Sequence, residues 1–358
     1  MKILIGVFLL VVAIFSGSIS QAEETCKVPD KADKLLPEAR ATCLKNATFS
    51  QEFKYLTPQD LRDGQPDFHI KANEMNCEFI YLGHYGGKSL KFFCVAADEN
   101  GSYYNAKQQL VPEAQSFNPN GELLGADKKN LLDADGKKQK GLIIKVKYPS
   151  DAGTFSSEER YREVFTEVAG TRLLWAMGLN ADTIVQVEKM KCKGCNSNPY
   201  FTKQAVAEND DKTFLNVAVE NRLDGKSIES FVDEGWKLSE IDQYYDSWST
   251  EKQIDYLLLL TVGNIINHHN TKASKQNTVK CPRTHIDPET LECSAPIALF
   301  DDVGSTFGGS GFLFSANPRG EFGKYSKHRI FKQDCEFKIG GNVKTLTKAA
   351  QTEFIKRA

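Results

Sequence analysis

The sequence predicts an α+β protein of two lobes, stapled by disulfides and carried out of the cytoplasm. Three observations lead there. An export leader stands ahead of nine cysteines. Strand-like segments then surround one long amphipathic helix. A second, more apolar helix follows, leading into two short polar segments rich in residue types that handle phosphate and metal.

Residues 1–22 have the form of a signal peptide. Lys2 is a short positive start, Ile3 to Phe15 is an apolar core of 13 residues, and Ser20-Gln21-Ala22 is a small-x-small cleavage site. The run is short for a bilayer span, and no Cys follows the cleavage point. No later apolar run reaches about 18 residues, so a soluble periplasmic or secreted chain without a membrane span is expected. The net charge of −2, with basic and acidic residues interspersed, lacks the footprint of a nucleic-acid binder.

Export makes disulfides the default use of the cysteines. Pairing near neighbours gives Cys26–Cys43, Cys77–Cys94, Cys192–Cys195 and Cys281–Cys293, with Cys335 left over. Spacing alone does not fix connectivity. Cys192-Lys193-Gly194-Cys195 is also a CxxC, open to redox or metal readings. The Asn196-Ser197-Asn198-Pro199 that follows is turn chemistry, not the helix of a thioredoxin-like site.

The elements follow in order. Residues 23–50 form an N-terminal extension with one helix near Lys34 to Lys45. Residues 51–222 make a β-rich first lobe. Glu78 to Leu82 and Leu90 to Val95 read as a hairpin around Gly83 to Lys88. Residues 97–140, rich in Asn, Asp, Gly and Lys, read as a long surface insertion. Leu142 to Tyr148 alternates apolar residues with Lys145 and Lys147, which places both lysines on one face of a strand. Residues 157–179 form the clearest helix, with Glu158 and Glu159 in its first turn and Gly178 at its end. Its buried stripe is Val164, Val168, Leu173, Leu174 and Met177. Asp182 to Met190 and Phe214 to Val219 read as strands. Residues 223–358 make a mainly helical second lobe, with a helix over Ser249 to Asn267, a loop over 267–277, a short strand from Ile297 to Phe300 and a turn over 301–304. No internal repeat is found.

Phosphoryl transfer asks a protein to hold phosphates, place metal and orient an acceptor. In the protein-kinase arrangement a strand Lys grips phosphates and pairs with a helix Glu, a loop residue orients the acceptor, and a later Asp-x-Gly turn holds Mg²⁺. This chain has candidates in that order. Lys147, or Lys145, lies on a strand, and Glu167 is in the next helix. His268, Asn270 and Lys272 follow a long helix as catalytic-loop candidates, with His268 packing to orient the Asn270 position. Asp301, Asp302, Gln276 and Asn277 are the metal-ligand candidates, because hard oxygen donors suit Mg²⁺. Gly86 and Gly87 stand in a hairpin turn placed to cover phosphates. Each item alone has a plain reading, as a solvated Lys, a surface Glu or an ordinary turn, and the order of the parts is the argument.

Those parts resemble a family of uncharacterised exported bacterial proteins. The likeness rests on Lys145 to Tyr148, Glu167 to Gly178, the CxxC, the His268 to Gln276 loop and Asp302 to Gly308, spanning about residues 55 to 310. The layout is also similar to atypical protein-kinase-like enzymes of the HipA and phosphoinositide-kinase type. The resemblance implies a two-lobed protein-kinase-like fold with disulfide staples, ATP and Mg as cofactors, and an unidentified protein or small-molecule acceptor. It departs from the pattern at Asn270, where the family has Asp. Asn carries no charge at neutral pH and takes no proton, so the resemblance implies a phosphotransferase-like protein with impaired catalysis. The alternative is a disulfide-stabilised periplasmic binding or structural protein without nucleotide.

Two other signals fall away. Gly86-Gly87-Lys88-Ser89 lacks the P-loop's first Gly, since position 82 is Leu, and a strand follows it. His268-His269 has no partner at zinc spacing, and no Ser sits in a GxSxG elbow.

Overall fold

The computed structural model describes residues 25–29, 37–65, 68, 73–82, 90–149, 157–195, 211–221, 223, 225–228, 236–268, 277–300, 303–304, 306–307, 336–339 and 342–358. Among these are six helices: α1 (Pro37–Asn46), α2 (Pro58–Asp63), α3 (Ser157–Ala176), α4 (Leu238–Asp242), α5 (Thr250–Ile265) and α6 (Lys348–Arg357). The strands are β1 (Glu74–Ile80), β2 (Lys91–Ala97), β3 (Tyr103–Tyr104), β4 (Leu110–Val111), β5 (Ser116–Phe117), β6 (Leu123–Leu124), β7 (Ile143–Lys147), β8 (Thr183–Lys193), β9 (Lys212–Asn221), β10 (Lys226–Ser227), β11 (Asn277–Cys281), β12 (Ile297–Phe300), β13 (Glu336–Ile339) and β14 (Asn342–Thr345).

Five strands close on themselves in the order β1-β8-β9-β7-β2, because β1 pairs with both β8 and β2. The β1–β8 join is parallel, and the other four pairings are antiparallel. The expected two-lobed protein-kinase-like fold is therefore not what the chain forms. That expectation treated β1 and β2 as a plain hairpin. The physical difference is the second ladder of β1: it pairs with a strand more than a hundred residues away and turns the hairpin into the seam of a barrel. Closure removes sheet edges, which is a general route to a stable small β structure.

The barrel has its own core. Met75 and Cys77 of β1, Phe92 and Cys94 of β2, Ile144 and Val146 of β7, Val185 and Val187 of β8, and Val217 and Val219 of β9 all point inward. Beyond Glu188 and Asn216 the parity on β8 and β9 changes, so that Met190, Cys192 and Phe214 become the buried positions. Asn216 lies there at φ 49°, a left-handed conformation that Asn tolerates and that re-aims the strand.

The outer faces are covered differently on two flanks. On one, Val164 and Val168 of α3 pack on Ile184 and Ala218. On the other, the segment read as a long surface insertion is a ladder of tight turns packed on the barrel. Turns begin at Asp98, Asn105, Asn118, Gly125 and Asp133. In each, the first residue's N–H donates to the carbonyl four residues on, and its carbonyl accepts from the N–H three residues on. The fourth residue of each turn, Gly101, Gln108, Gly121, Lys128 or Gly136, has positive φ. Where the first residue is Asp or Asn, its Oδ1 accepts two further backbone N–H groups. These are type I turns with a following left-handed residue, joining very short strands. The ladder buries Val95, Tyr103, Val111 and Leu123 against the barrel, with Phe93 and Ile143 beside them. The sequence reading found no repeat here, because the repeated quantity is hydrogen-bond geometry at irregular spacing.

A second core joins α1, α5, the three-stranded sheet β10-β11-β12 and α6. Ser249 caps α5 by accepting from the Lys252 N–H, and α5 buries Tyr256 to Asn264 almost continuously. Phe49, Trp248 and Tyr256 form an aromatic cluster with ring centroids 5.1–5.4 Å apart. The helix α3 ends at Ala176, three residues short of the expected 179. Gly178 is left-handed there (φ 69°), and the Leu179 N–H returns to the Leu174 carbonyl.

All four near-neighbour bridges are formed: Cys26–Cys43, Cys77–Cys94, Cys192–Cys195 and Cys281–Cys293. Cys335 and residues 1–22 lie outside the described residues. Among the described residues no helix is long and apolar enough to cross a membrane. The disulfides fit an extracellular or periplasmic protein.

Candidate functional site

Three lysine–carboxylate pairs are buried along the barrel flank beneath α3 and beside β11. Ile144 and Val146 face the barrel interior, so the alternation of β7 sends Lys145 and Lys147 outward under the helix. Lys147 Nζ lies 2.5 Å from Glu167 Oε1, with side chains 3% and 0% exposed. Lys145 pairs with Glu220, its register partner on β9. Lys280 of β11 reaches Asp182 Oδ1 at 3.0 Å, and the same oxygen accepts the Leu223 N–H at 2.7 Å. Glu220 sits opposite Ile184 on β8, two residues after Asp182, so the second and third pairs are neighbours on one face.

The two polar segments meet this flank through packing. The His268 ring is buried and lies 4.7 Å from the Phe300 ring, and the His268 backbone N–H donates to the Gly263 carbonyl at the end of α5. The Phe307 N–H donates to the Ile266 carbonyl. Val303 packs on Gly170 of α3, and the Thr166 hydroxyl donates to the Gly304 carbonyl at 2.8 Å. Thr166 is the residue before Glu167. The turn that follows Asp301 and Asp302 is therefore fastened to the helix that holds Lys147.

The structure thus unites Lys147 with Glu167 and places His268 against the strand leading to Asp301. Asn277 opens β11 and is the register partner of Phe300. Asn270, Lys272, Gly86, Gly87, Asp301, Asp302 and Gln276 fall outside the described residues. Lys145, expected as an alternative to Lys147, has its own buried carboxylate. Glu220, Asp182 and Lys280 were missed by the sequence reading. Their signal was available as single charges in otherwise apolar strands, Glu220 in Val217-Ala218-Val219 and Lys280 beside Val279 and Cys281.

No protein-family model, curated protein or solved structure matches the chain. Among the described residues no three His, Cys, Asp or Glu side chains converge as a metal centre. What converges is charge: ammonium groups and carboxylates in a low-dielectric seam, where each interaction is stronger than in water.

Proposed function

We propose that this chain is an exported, disulfide-braced protein that binds a phosphate-bearing ligand, with a magnesium nucleotide as its class, and that it is phosphotransferase-like with weakened turnover. The observation that carries the reading is the buried Lys147–Glu167 pair beside the Val303–Gly304 turn. A buried ion pair is a poor stabilising device, since apolar side chains of similar volume often stabilise as well or better. Three such pairs on one flank call for another reason, and a polyanionic ligand supplies it. Lysines fixed in place by carboxylates need little rearrangement when phosphate arrives.

Lys147, with Lys145 behind it, would meet the phosphates, and Glu167 would hold Lys147. Asp301 and Asp302, with Gln276 or Asn277, are the oxygen donors whose chemistry suits Mg²⁺. A bound Mg²⁺ would neutralise phosphate charge. Asn270 can hydrogen-bond an acceptor hydroxyl but cannot take its proton, which removes a contribution on the order of 10²–10⁴ in rate.

A second reading has its own support. The four bridges and the pairing of Lys145, Lys147 and Lys280 with buried carboxylates make a cross-braced seam. That suits a periplasmic binding or structural protein without nucleotide.

Thermal unfolding of the oxidised mature chain with ATP and Mg²⁺ separates the two. The nucleotide reading expects a metal-dependent rise in Tm that is lost in Asp302→Ala and in the Lys147→Met/Glu167→Gln double variant. No rise at millimolar nucleotide in a folded sample overturns it and leaves the binding or structural reading.

A further inference from the structure

Inside the barrel, two disulfides lie side by side. Cys77 and Cys192 are register partners across the parallel β1–β8 join. Cys77, Cys94, Cys192 and Cys195 share one core cluster and are 2%, 0%, 1% and 1% exposed. Adjacent strands run about 4.8 Å apart, and register partners of a parallel pair leave the sheet on the same face. That spacing falls within the roughly 4.4–6.8 Å between Cα atoms that a disulfide accepts. Cys77 therefore has two neighbours at bonding range: Cys94, its present partner at a Cα–Cα distance of 5.6 Å, and Cys192.

The two bridges do unequal work. Cys77–Cys94 spans 17 residues and restrains the unfolded chain, whereas Cys192–Cys195 spans 3 and restrains it less. Cys77–Cys94 joins β1 to β2, which already share an antiparallel ladder. The β1–β8 join closes the barrel and has no covalent link of its own. The CxxC turn stands at the end of β8, where the Lys193 side chain is 67% exposed and Gly194 turns the chain at φ 74°.

We propose that these four sulfurs form one thiol–disulfide exchange unit, which moves the covalent tie of β1 from β2 to β8. A dithiol donor reduces Cys192–Cys195, delivers two electrons and is itself oxidised to a disulfide. Cys192 then loses its proton to water and attacks the Cys77 sulfur. The Cys77–Cys192 bond forms as Cys77–Cys94 breaks, and Cys94 leaves as a thiolate that takes up a proton. The second step is electron-neutral. Its product has one bridge, Cys77–Cys192, and thiols at Cys94 and Cys195. Reducing equivalents that enter at the rim are thus passed to a bridge in the barrel interior.

The test maps disulfides in the full mature chain. In the Cys94→Ser/Cys195→Ser variant, the expected result is a Cys77–Cys192 cross-linked peptide after oxidative folding. Free Cys77 and Cys192 thiols, both alkylated once a folded sample has been acid-quenched and denatured, overturn the proposal. Limiting dithiothreitol on the wild-type chain, followed by acid quench and alkylation, gives a check that does not depend on the variant folding. Cys77–Cys192 peptides with Cys94 and Cys195 alkylated are expected. An intact Cys77–Cys94 bridge throughout a time course in which Cys192 and Cys195 become alkylated overturns it. The Cys26–Cys43 and Cys281–Cys293 bridges serve as internal controls.

Discussion

Gly170 of α3 lies directly against Val303, so closely that a Cβ on Gly170 would sit 3.2 Å from Val303 Cγ2. One helical turn away, the Thr166 hydroxyl holds the Gly304 carbonyl. These two contacts set the distance between the helix bearing Glu167 and the segment that follows Asp301 and Asp302. Replacing Gly170 by Val pushes three extra carbons into that gap. The expected loss is about 1–3 kcal/mol of stability from overpacking. Equilibrium urea unfolding checks it, and wild-type stability in Gly170→Val would show that the turn yields freely.

Glu167→Gln alone removes the carboxylate charge that faces the Lys147 ammonium in a buried site. It should lower stability by about 3–5 kcal/mol, whereas Lys147→Met/Glu167→Gln should recover most of the loss, because it removes both charges. A double-mutant cycle on denaturant midpoints measures the coupling. Additive losses would mean that the two side chains do not pair in solution.

Burial pushes the Tyr103 phenol above the ordinary tyrosine range, and its hydrogen bond to Glu78 adds to the effect. Burial does the same to Tyr256, with the Asp242 charge contributing. Both pKa values are raised in the folded state. Their contribution is fully present below about pH 10, the ordinary tyrosine value, and is lost as pH climbs beyond it because only the unfolded chain ionises. Absorbance near 295 nm should show these phenols ionising together with cooperative alkaline unfolding. Smooth titration of every tyrosine in a still-folded chain would contradict the burial.

Lys252 behaves in the opposite sense. Burial, with Lys45 nearby, lowers its pKa to about 8. Its ammonium donates to the Lys45 carbonyl at the end of α1 and lies 4.8 Å from the Trp248 ring centroid. Between about pH 8 and the unfolded value near 10.4 the unfolded chain binds more protons, so the Lys252 contribution to stability rises with pH across that window. Stability of wild type minus that of Lys252→Met, followed from pH 7 to 10, should increase. A flat difference would show that the carbonyl and ring contacts offset the burial.

Local features were legible in the sequence. The strand alternation of Ile143 to Lys147 announced two lysines on one face, and the helix bearing Glu167 followed at a spacing that allowed the pair. Cysteines 17, 3 and 12 residues apart found their near neighbours. Ser249 marked the start of α5, and Gly178 marked the end of α3. Each of these rests on forces that act over a few residues, such as side-chain periodicity, capping and short loop closure.

Tertiary structure decided what lies between distant segments. Nothing within β1 specifies that its second edge will pair with β8, since backbone hydrogen bonds are the same for any partner strand and only the packing of Met75 and Cys77 with Val187, Met190 and Cys192 selects it. That choice replaced an open two-lobed arrangement with a closed barrel. It also set Cys77 beside Cys192, although 115 residues separate them in sequence. The carboxylates of Glu220 and Asp182 became functional candidates for the same reason. A charged residue in a strand looks solvated until a helix and a second sheet close over it, and only then does burial require each lysine to have its partner.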